Sequence, residues 1–327
     1  MRHVLVAGKV HPSGTAVLEA AEGVTFEVVD DPDPAAYLPR LPDAQGLLLR
    51  TQPLTAAHIA AAPRLSVVAR HGVGFDAVDV DALSARGIPL AIVGDVNSRA
   101  VAEHAMMLIL AARRRLVESA TALRAGDWNH RNAFASREVD GATLLVVGFG
   151  RIGRQLARLA AAFGMRIVVH DPFADAATVE HEMAADLGAA LAGADVVSIH
   201  VPKTGGALIG RDEIARMKAD AVIVNTARGG LVDEAALLEA LDGGHLGAAG
   251  LDVFEAEPPA PGDPLVAHPR VVATPHSAGL TAECAERMAV VAARNIVDHF
   301  AGRLDPALVV NRAVLDTPPV EAARPAT

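Results

Sequence analysis

Gly148-Phe149-Gly150-Arg151-Ile152-Gly153 is the sharpest chemical signal in the chain. It follows the apolar run Thr143–Val147 and opens a helical pattern that reaches Ala162. Glycine at the first position permits a tight turn. At the second it lets the backbone approach a pyrophosphate, and at the third it lets helix and strand pack closely. The helix N-terminus offers unsatisfied N–H groups and a partial positive charge to phosphates. The next apolar run ends in His170-Asp171, and Asp171 stands 18 residues past Gly153. A carboxylate there accepts hydrogen bonds from both ribose hydroxyls and repels a 2′-phosphate, which favours NAD over NADP. A bare glycine turn with a surface aspartate is the plainer alternative, and the strand–turn–helix context weighs against it.

Further strand ends carry candidate groups. Ser198-Ile199-His200-Val201-Pro202 closes a strand on the adenosine side, and Asn225-Thr226-Ala227-Arg228-Gly229-Gly230 closes the next. An arginine beside two glycines at a strand end is poorly explained by packing, whereas its fork of donors suits a carboxylate. Leu251–Pro258 and Thr274–Gly279 each follow an apolar run. A carboxylate and an imidazole delivered from neighbouring strand ends can pair. The carboxylate then orients the ring and favours its protonated form, so that it serves as an acid near neutral pH. The chain has 13 histidines, so any one of them is more often structural; only its context singles out His276. Glu255 and Glu257 both lie near the mouth, and spacing leaves the choice between them open.

The elements that must position these groups are read from short apolar runs. Val4–Ala7, Phe26–Val29, Gly46–Leu49, Val67–Ala69 and Leu90–Val93 form a first series, with helical pieces at Thr15–Ala21, Thr55–Ala62 and Val80–Arg86. A second series of six strands comprises Thr143–Val147, Arg166–His170, Val196–His200, Ala221–Asn225, Gly247–Leu251 and Val271–Ala273. Unbroken rather than alternating apolar strands, separated by helices, predict parallel sheets covered on both faces. Val101–Arg115 reads as a long helix whose arginine-rich end suits a helix C-terminus. Glu283–Phe300 is a last helix, followed by Ala307–Asn311 and a Pro/Ala-rich tail, Arg312–Thr327, expected to be mobile. The predicted fold class is α/β, with two Rossmann-like or flavodoxin-like parallel-sheet domains and a cleft between them. Residues 1–98 plus 284–327 are expected to form a discontinuous substrate-binding domain, and residues 99–283 a NAD-binding domain.

Composition bounds the function. The chain has 327 residues and is 51% hydrophobic with only eight Phe, one Tyr and one Trp, so its cores must be aliphatic. The formal net charge of −10 argues against nonspecific nucleic-acid binding and against docking on an anionic membrane. The single cysteine, Cys284, excludes an intrachain disulfide and a cysteine-based metal site, and a free thiol fits a reducing, cytoplasmic setting. The apolar run Ala105–Ala112 is far short of the roughly 20 residues that span a bilayer. Val4–Gly8 is too short for the core of a signal peptide.

Taken in order, His71-Gly72-Val73-Gly74-Phe75-Asp76, the glycine fingerprint, Asn225–Gly230, Asp252–Pro258 and Thr274–Gly279 make the resemblance specific. Over about residues 40–311 the chain resembles the D-isomer-specific 2-hydroxyacid dehydrogenases, close to the phosphoglycerate dehydrogenase, glyoxylate reductase and hydroxypyruvate reductase branches. The resemblance implies that Arg228 binds the substrate's carboxylate, that His276 is the general acid/base, and that Glu257 rather than Glu255 is its partner. It implies cofactor contacts from Gly148, Gly150, Arg151, Ile152, Gly153, Asp171, His200, Val201, Pro202, Thr226, Ala227, Asp252, His276, Ala278, Gly279 and Val101. Substrate contacts are implied for Arg50, Val73 and Gly74 as well as Arg228.

The expected reaction is reversible hydride transfer between NAD(H) and a small 2-keto or (R)-2-hydroxy acid of the hydroxypyruvate, glyoxylate or 3-phosphoglycerate class. Relatives acting on formate lack the Glu–His pairing, so formate fits poorly. A NAD(H)-sensing, corepressor-like scaffold and a phosphite dehydrogenase of the same fold are the alternatives. No metal is expected. The chain stops soon after Asn311, so serine feedback through a regulatory extension is not expected. The resemblance further implies a homodimer that pairs through the 101–115 helix region.

Overall fold

Each apolar run that the sequence marks as a strand is a strand in the computed structural model, which describes residues 1–203 and 205–316. The chain divides into two units, Met1–Asn97 with the segment from Thr281, and Ser98–Leu280.

The first unit begins with β1 (Arg2–Ala7), α1 (Pro12–Glu19), β2 (Val24–Val29), α2 (Pro34–Tyr37) and β3 (Gly46–Leu49). It continues through α3 (Ala56–Ala60), β4 (Val67–Arg70), α4 (Val80–Ala85) and β5 (Leu90–Ala91). The five strands form one parallel sheet in the order β2-β1-β3-β4-β5. Leu5, Leu47, Leu49 and Val68 fill one face together with Tyr37, Ile59 and Leu83.

The second unit opens with α5 (Ser98–Arg113) and α6 (Leu116–Arg124), then β6 (Thr143–Val147), α7 (Arg151–Ala162), β7 (Arg166–His170), β8 (Glu182–Met183) and α8 (Leu187–Gly193). After these come β9 (Val196–Ile199), α9 (Arg211–Arg216), β10 (Val222–Asn225), α10 (Glu234–Asp242), β11 (Ala248–Leu251), α11 (Pro264–Ala267) and β12 (Val271–Ala273). The last helix, α12 (Ala282–Phe300), returns to the first unit and lies against α1, where Gly14 leaves room for the Ala289 backbone.

The second sheet is parallel throughout, in the order β12-β11-β10-β9-β6-β7-β8. Alternation along β6 shows how both faces are covered. Leu144 and Val146 pack with α5 and α7 residues such as Leu108 and Leu156. Leu145 and Val147 pack on the other side with Leu191, Ile214 and Leu237. The strand order reverses between β6 and β9, and ligands of open parallel sheets bind at such a switch point, beyond the carboxyl ends of the strands.

Several boundaries differ from the sequence reading. The second sheet has seven strands rather than six, because β8 is a two-residue edge strand with no apolar run to announce it. The long helix starts at Ser98 and stops at Arg113; Arg115 takes a left-handed conformation, φ 51°, and starts α6 on a new course. α1 starts at Pro12, capped by the His11 ring. Ala307–Asn311 is a 3-10 turn followed by an antiparallel bridge from Val309 to Ala91. Within the tail expected to be mobile, Arg312–Leu315 forms another 3-10 turn with Val314 buried, and 317–327 lies outside the described residues. Among the described residues, no helix is long and apolar enough to cross a membrane.

Candidate active site

The glycine turn stands at the switch point. Gly148 follows β6 with φ +92°, and a Cβ there would come within 2.7 Å of the His200 carbonyl oxygen beyond β9. Only glycine permits both the conformation and the approach. Gly150 caps α7 with no side-chain hydrogen bond, and a Cβ on it would meet nothing within 4 Å. The first amides of a twelve-residue helix are thus left without a side-chain cap, beside open space at Gly150, which is the arrangement a pyrophosphate requires.

Asp171 directly follows β7, the strand after the glycine turn and α7. Its Oδ2 accepts from the Phe149 amide at 2.8 Å and its Oδ1 from the Phe173 amide at 2.9 Å. Each oxygen keeps a further lone pair, so the carboxylate is held in place and can still accept a hydroxyl. At the end of β10 the Thr226 hydroxyl is buried with no partner, a spare polar group beside the same crevice. Glycine turn, free helix amides, oriented carboxylate and spare hydroxyl together fit a dinucleotide.

The His200 ring turns into the fold, with Nε2 at 2.9 Å from Ser198 Oγ and Nδ1 buried without a partner. Burial pushes its pKa down to about 4, so the ring is neutral. What His200 gives the glycine turn is its carbonyl, while Val201 packs over Gly148.

The acid/base candidates sit on three consecutive strand ends. After β10, the Asn225 side chain accepts from the Ala227 amide and donates to the Arg228 carbonyl, fixing the bend that carries Arg228. Gly229 then passes so close to the Phe254 carbonyl that any side chain would overlap it. After β11, the Phe254 amide donates to Glu257 Oε1 at 3.1 Å, leaving Oε2 at 2.7 Å from His276 Nδ1. Burial alone would raise the Glu257 carboxyl. The His276 hydrogen bond, the Phe254 amide and the charges of His276 and Arg228 outweigh it and hold the group below the usual carboxylate range. The His276 side chain is 55% exposed, so its second nitrogen is within reach of a ligand. Of the two glutamates that spacing could not separate, Glu257 meets the imidazole; Glu255 presents its amide to the Glu234 carboxylate instead.

His276 itself is left-handed, φ 48°, a conformation that costs a non-glycine residue about 1–2 kcal/mol. Asp252 holds it there. The Asp252 carbonyl accepts from the His276 amide at 2.8 Å, and its carboxylate accepts from the amides of Ser277 and Ala278, both at 2.9 Å. The Thr274 hydroxyl donates to the same carboxylate at 2.6 Å. The Asp252 side chain is 1% exposed, and its carboxylate shapes the His276 loop. His104 on α5 stands behind it, with Nε2 at 2.9 Å from Thr274 Oγ1. Sequence reasoning missed His104 and Glu234. A histidine inside the apolar face of α5 is the signal for the first; nothing local announces the second.

Of the remaining expected contacts, Val101 and Ala278, both residues of the second unit, are buried. Arg151 and Ile152 form the first turn of α7, Pro202 is exposed after β9, and Ala227 and Gly279 lie on the Arg228 and His276 loops. Arg50, Val73 and Gly74 belong to the first unit. There Arg50 follows β3 and Arg70 ends β4, with the His71-Gly72-Val73-Gly74 turn beyond. His71 is 7% exposed, and burial with the neighbouring Arg50 and Arg70 pushes its pKa down to about 4.

Comparison with known proteins agrees with this geometry. Residues 106–278 match the model of the D-isomer specific 2-hydroxyacid dehydrogenase, NAD binding domain. A D-3-phosphoglycerate dehydrogenase from Mycobacterium tuberculosis is 43% identical over 309 residues, 93% of this chain. The chain spans 58% of that relative's length. A glyoxylate reductase from Aeropyrum pernix is 39% identical, with 95% of this chain and 96% of the relative covered. The crystal structure of the TT0316 protein from Thermus thermophilus superposes with a TM-score of 0.87 at 37% identity, covering 94% of this chain and 99% of that one. The chain belongs to the D-isomer specific 2-hydroxyacid dehydrogenase family.

Proposed function

We propose that the protein is a nicotinamide-dependent oxidoreductase that interconverts a small 2-keto acid and the corresponding (R)-2-hydroxy acid. The observation that carries this reading is the Glu257–His276 pair, 2.7 Å apart, with the Arg228 charge acting on the same glutamate. Arg228 offers a planar fork of donors to the substrate's carboxylate. A bound nicotinamide supplies or takes up the hydride. As negative charge grows on the keto oxygen, the guanidinium stabilises it and His276 donates a proton from Nε2. Glu257, accepting from Nδ1, orients the ring and favours its protonated form. In the opposite direction the neutral ring takes the hydroxyl proton. A carboxylate after the second strand of such a fold, here Asp171, accepts ribose hydroxyls and repels a 2′-phosphate, and on that ground NAD(H) is the proposed cofactor.

NADH oxidation measured with glyoxylate, hydroxypyruvate, pyruvate and 3-phosphohydroxypyruvate tests the reading. The phosphorylated acid belongs in the panel because Arg50 and Arg70 stand together at strand ends of the first unit. Turnover with at least one acid is the expected result. Tight NADH binding without turnover on any of them would favour the sensing scaffold, and NADH formation from phosphite would favour the phosphite enzyme.

We further propose that two copies of the chain pair beside α5. Ten of the sixteen α5 residues are buried, so the free apolar surface is next to it: α6 buries none of its residues, and Leu116, Leu123, Trp128 and Phe134 are exposed. Light scattering that reads a single chain contradicts this.

A further inference from the structure

Glu234 has no part in the chemistry described above, yet it is fixed to the loop that carries Glu257. It is the first residue of α10, directly after the Arg228 loop, with Asp233 before it as the N-cap. Its Oε1 accepts from the Glu255 amide at 2.6 Å, two residues from Glu257. A carboxylate in the first turn of a helix is ordinarily favoured by the helix dipole. Here burial, and the negative charges of Glu255, Asp263 and Glu257, raise the Glu234 carboxyl above its usual range despite that amide. The fold thus places a half-buried carboxylate among three others, an arrangement that disfavours ionisation. The cations nearby, Arg228 and His276, act on Glu257.

We propose that Glu234 is a positioning residue for the Glu257–His276 pair: by holding the Glu255 amide it fixes the turn that aims Glu257 Oε2 at the imidazole, and its charge adds to the negative field that favours the protonated ring. The proposal rests on the acid/base reading of that pair. The two contributions separate by substitution. Glu234→Gln keeps an acceptor oxygen for the Glu255 amide and removes the charge; Glu234→Ala removes both.

The experiment is a comparison of wild type, Glu234→Gln and Glu234→Ala by kcat across pH, by NADH titration, and by NMR of the His276 ring, assigned through its loss in His276→Gln. For Glu234→Ala, kcat is expected to fall about 10-fold while NADH affinity stays within about twofold. For Glu234→Gln, most of kcat at the optimum is expected to return. Its alkaline limb for keto-acid reduction, which needs the protonated ring, is expected to move to lower pH by a few tenths of a unit or more, and the NMR midpoint with it. A kcat profile and ring titration unmoved in both variants overturn the proposal. So does a loss of kcat, NADH affinity and melting temperature in parallel in both, which marks a general structural role. The ring titration does not depend on turnover. A wild type inactive on every acid, with the ring shift still present, overturns the enzyme reading and leaves Glu234 as the residue that positions the pair.

Discussion

The two units share a parallel-sheet plan and differ in what they leave open at the carboxyl ends of their strands. In the first, Gly8 follows β1, where a Cβ would stand 2.8 Å from Gln52 Nε2 and 2.9 Å from Arg50 Cβ, and the following helix is capped by the His11 ring. In the second, Gly148 follows β6, and the helix that comes next has Gly150 as its N-cap, with no side-chain cap and open space at that residue. One helix start is closed by its own side chain and the other is left for a ligand. Acidic residues follow the second strand of each series, Asp30 and Asp31 after β2 and Asp171 after β7, so the open helix start is what distinguishes the two units. The same topology thus offers a dinucleotide site only where the helix amides are left free.

The largest of these effects is expected from closing the open helix start. Gly150→Val is expected to lower NADH affinity by about 100-fold, about 2.8 kcal/mol, in a titration. Its folding stability should change by only about 1 kcal/mol, because a Cβ at this position meets nothing within 4 Å. Gly8→Ala should do the opposite. With φ +98° and neighbours under 3 Å, it is expected to cost roughly 1–3 kcal/mol in urea unfolding and to leave NADH affinity alone. Equal effects of the two changes on NADH binding would erase the distinction.

A second test uses pH. His71 in the first unit and His200 in the second both titrate at about 4 in the fold, against about 6.5 in an unfolded chain. Between those values the unfolded chain binds more protons, so stability is complete above about pH 6.5 and declines towards pH 4. Each histidine accounts for on the order of 3 kcal/mol over that window. Urea unfolding at pH 7 and pH 4.5 should show the loss, and His71→Gln and His200→Gln should each remove one share of it. Equal stability at the two pH values would contradict both assignments.

Smaller is the effect expected at the ribose. Asp171→Ala should weaken NADH binding by about 10-fold, about 1.4 kcal/mol, and narrow the preference over NADPH. An unchanged NADH:NADPH affinity ratio would remove Asp171 from cofactor selection.

How much of this was legible in the sequence follows from the range of the interactions involved. Unbroken runs such as Leu144–Val147 announce covered strands, and the Gly148–Gly153 spacing announces an open helix start, because both patterns are local. The edge strand β8 and the break at Arg115 depend on neighbours far along the chain and left no mark. Spacing could not separate Glu255 from Glu257; the resemblance chose Glu257, and the structure turns that carboxylate to His276 while the Glu255 amide faces Glu234. Asp252 was legible as a carboxylate at a strand end, but not as the clamp on amides 25 and 26 residues later. Residues that act through others are set by tertiary contacts and have no local signature.

The claim that the second unit holds an acid/base site on a dinucleotide fold is tested most directly by His276→Ala, assayed for kcat with the preferred 2-keto acid and for NADH affinity by titration. The expected result is a fall in kcat of about 1000-fold with NADH affinity within about twofold of wild type. Turnover close to wild type in this variant would contradict the claim.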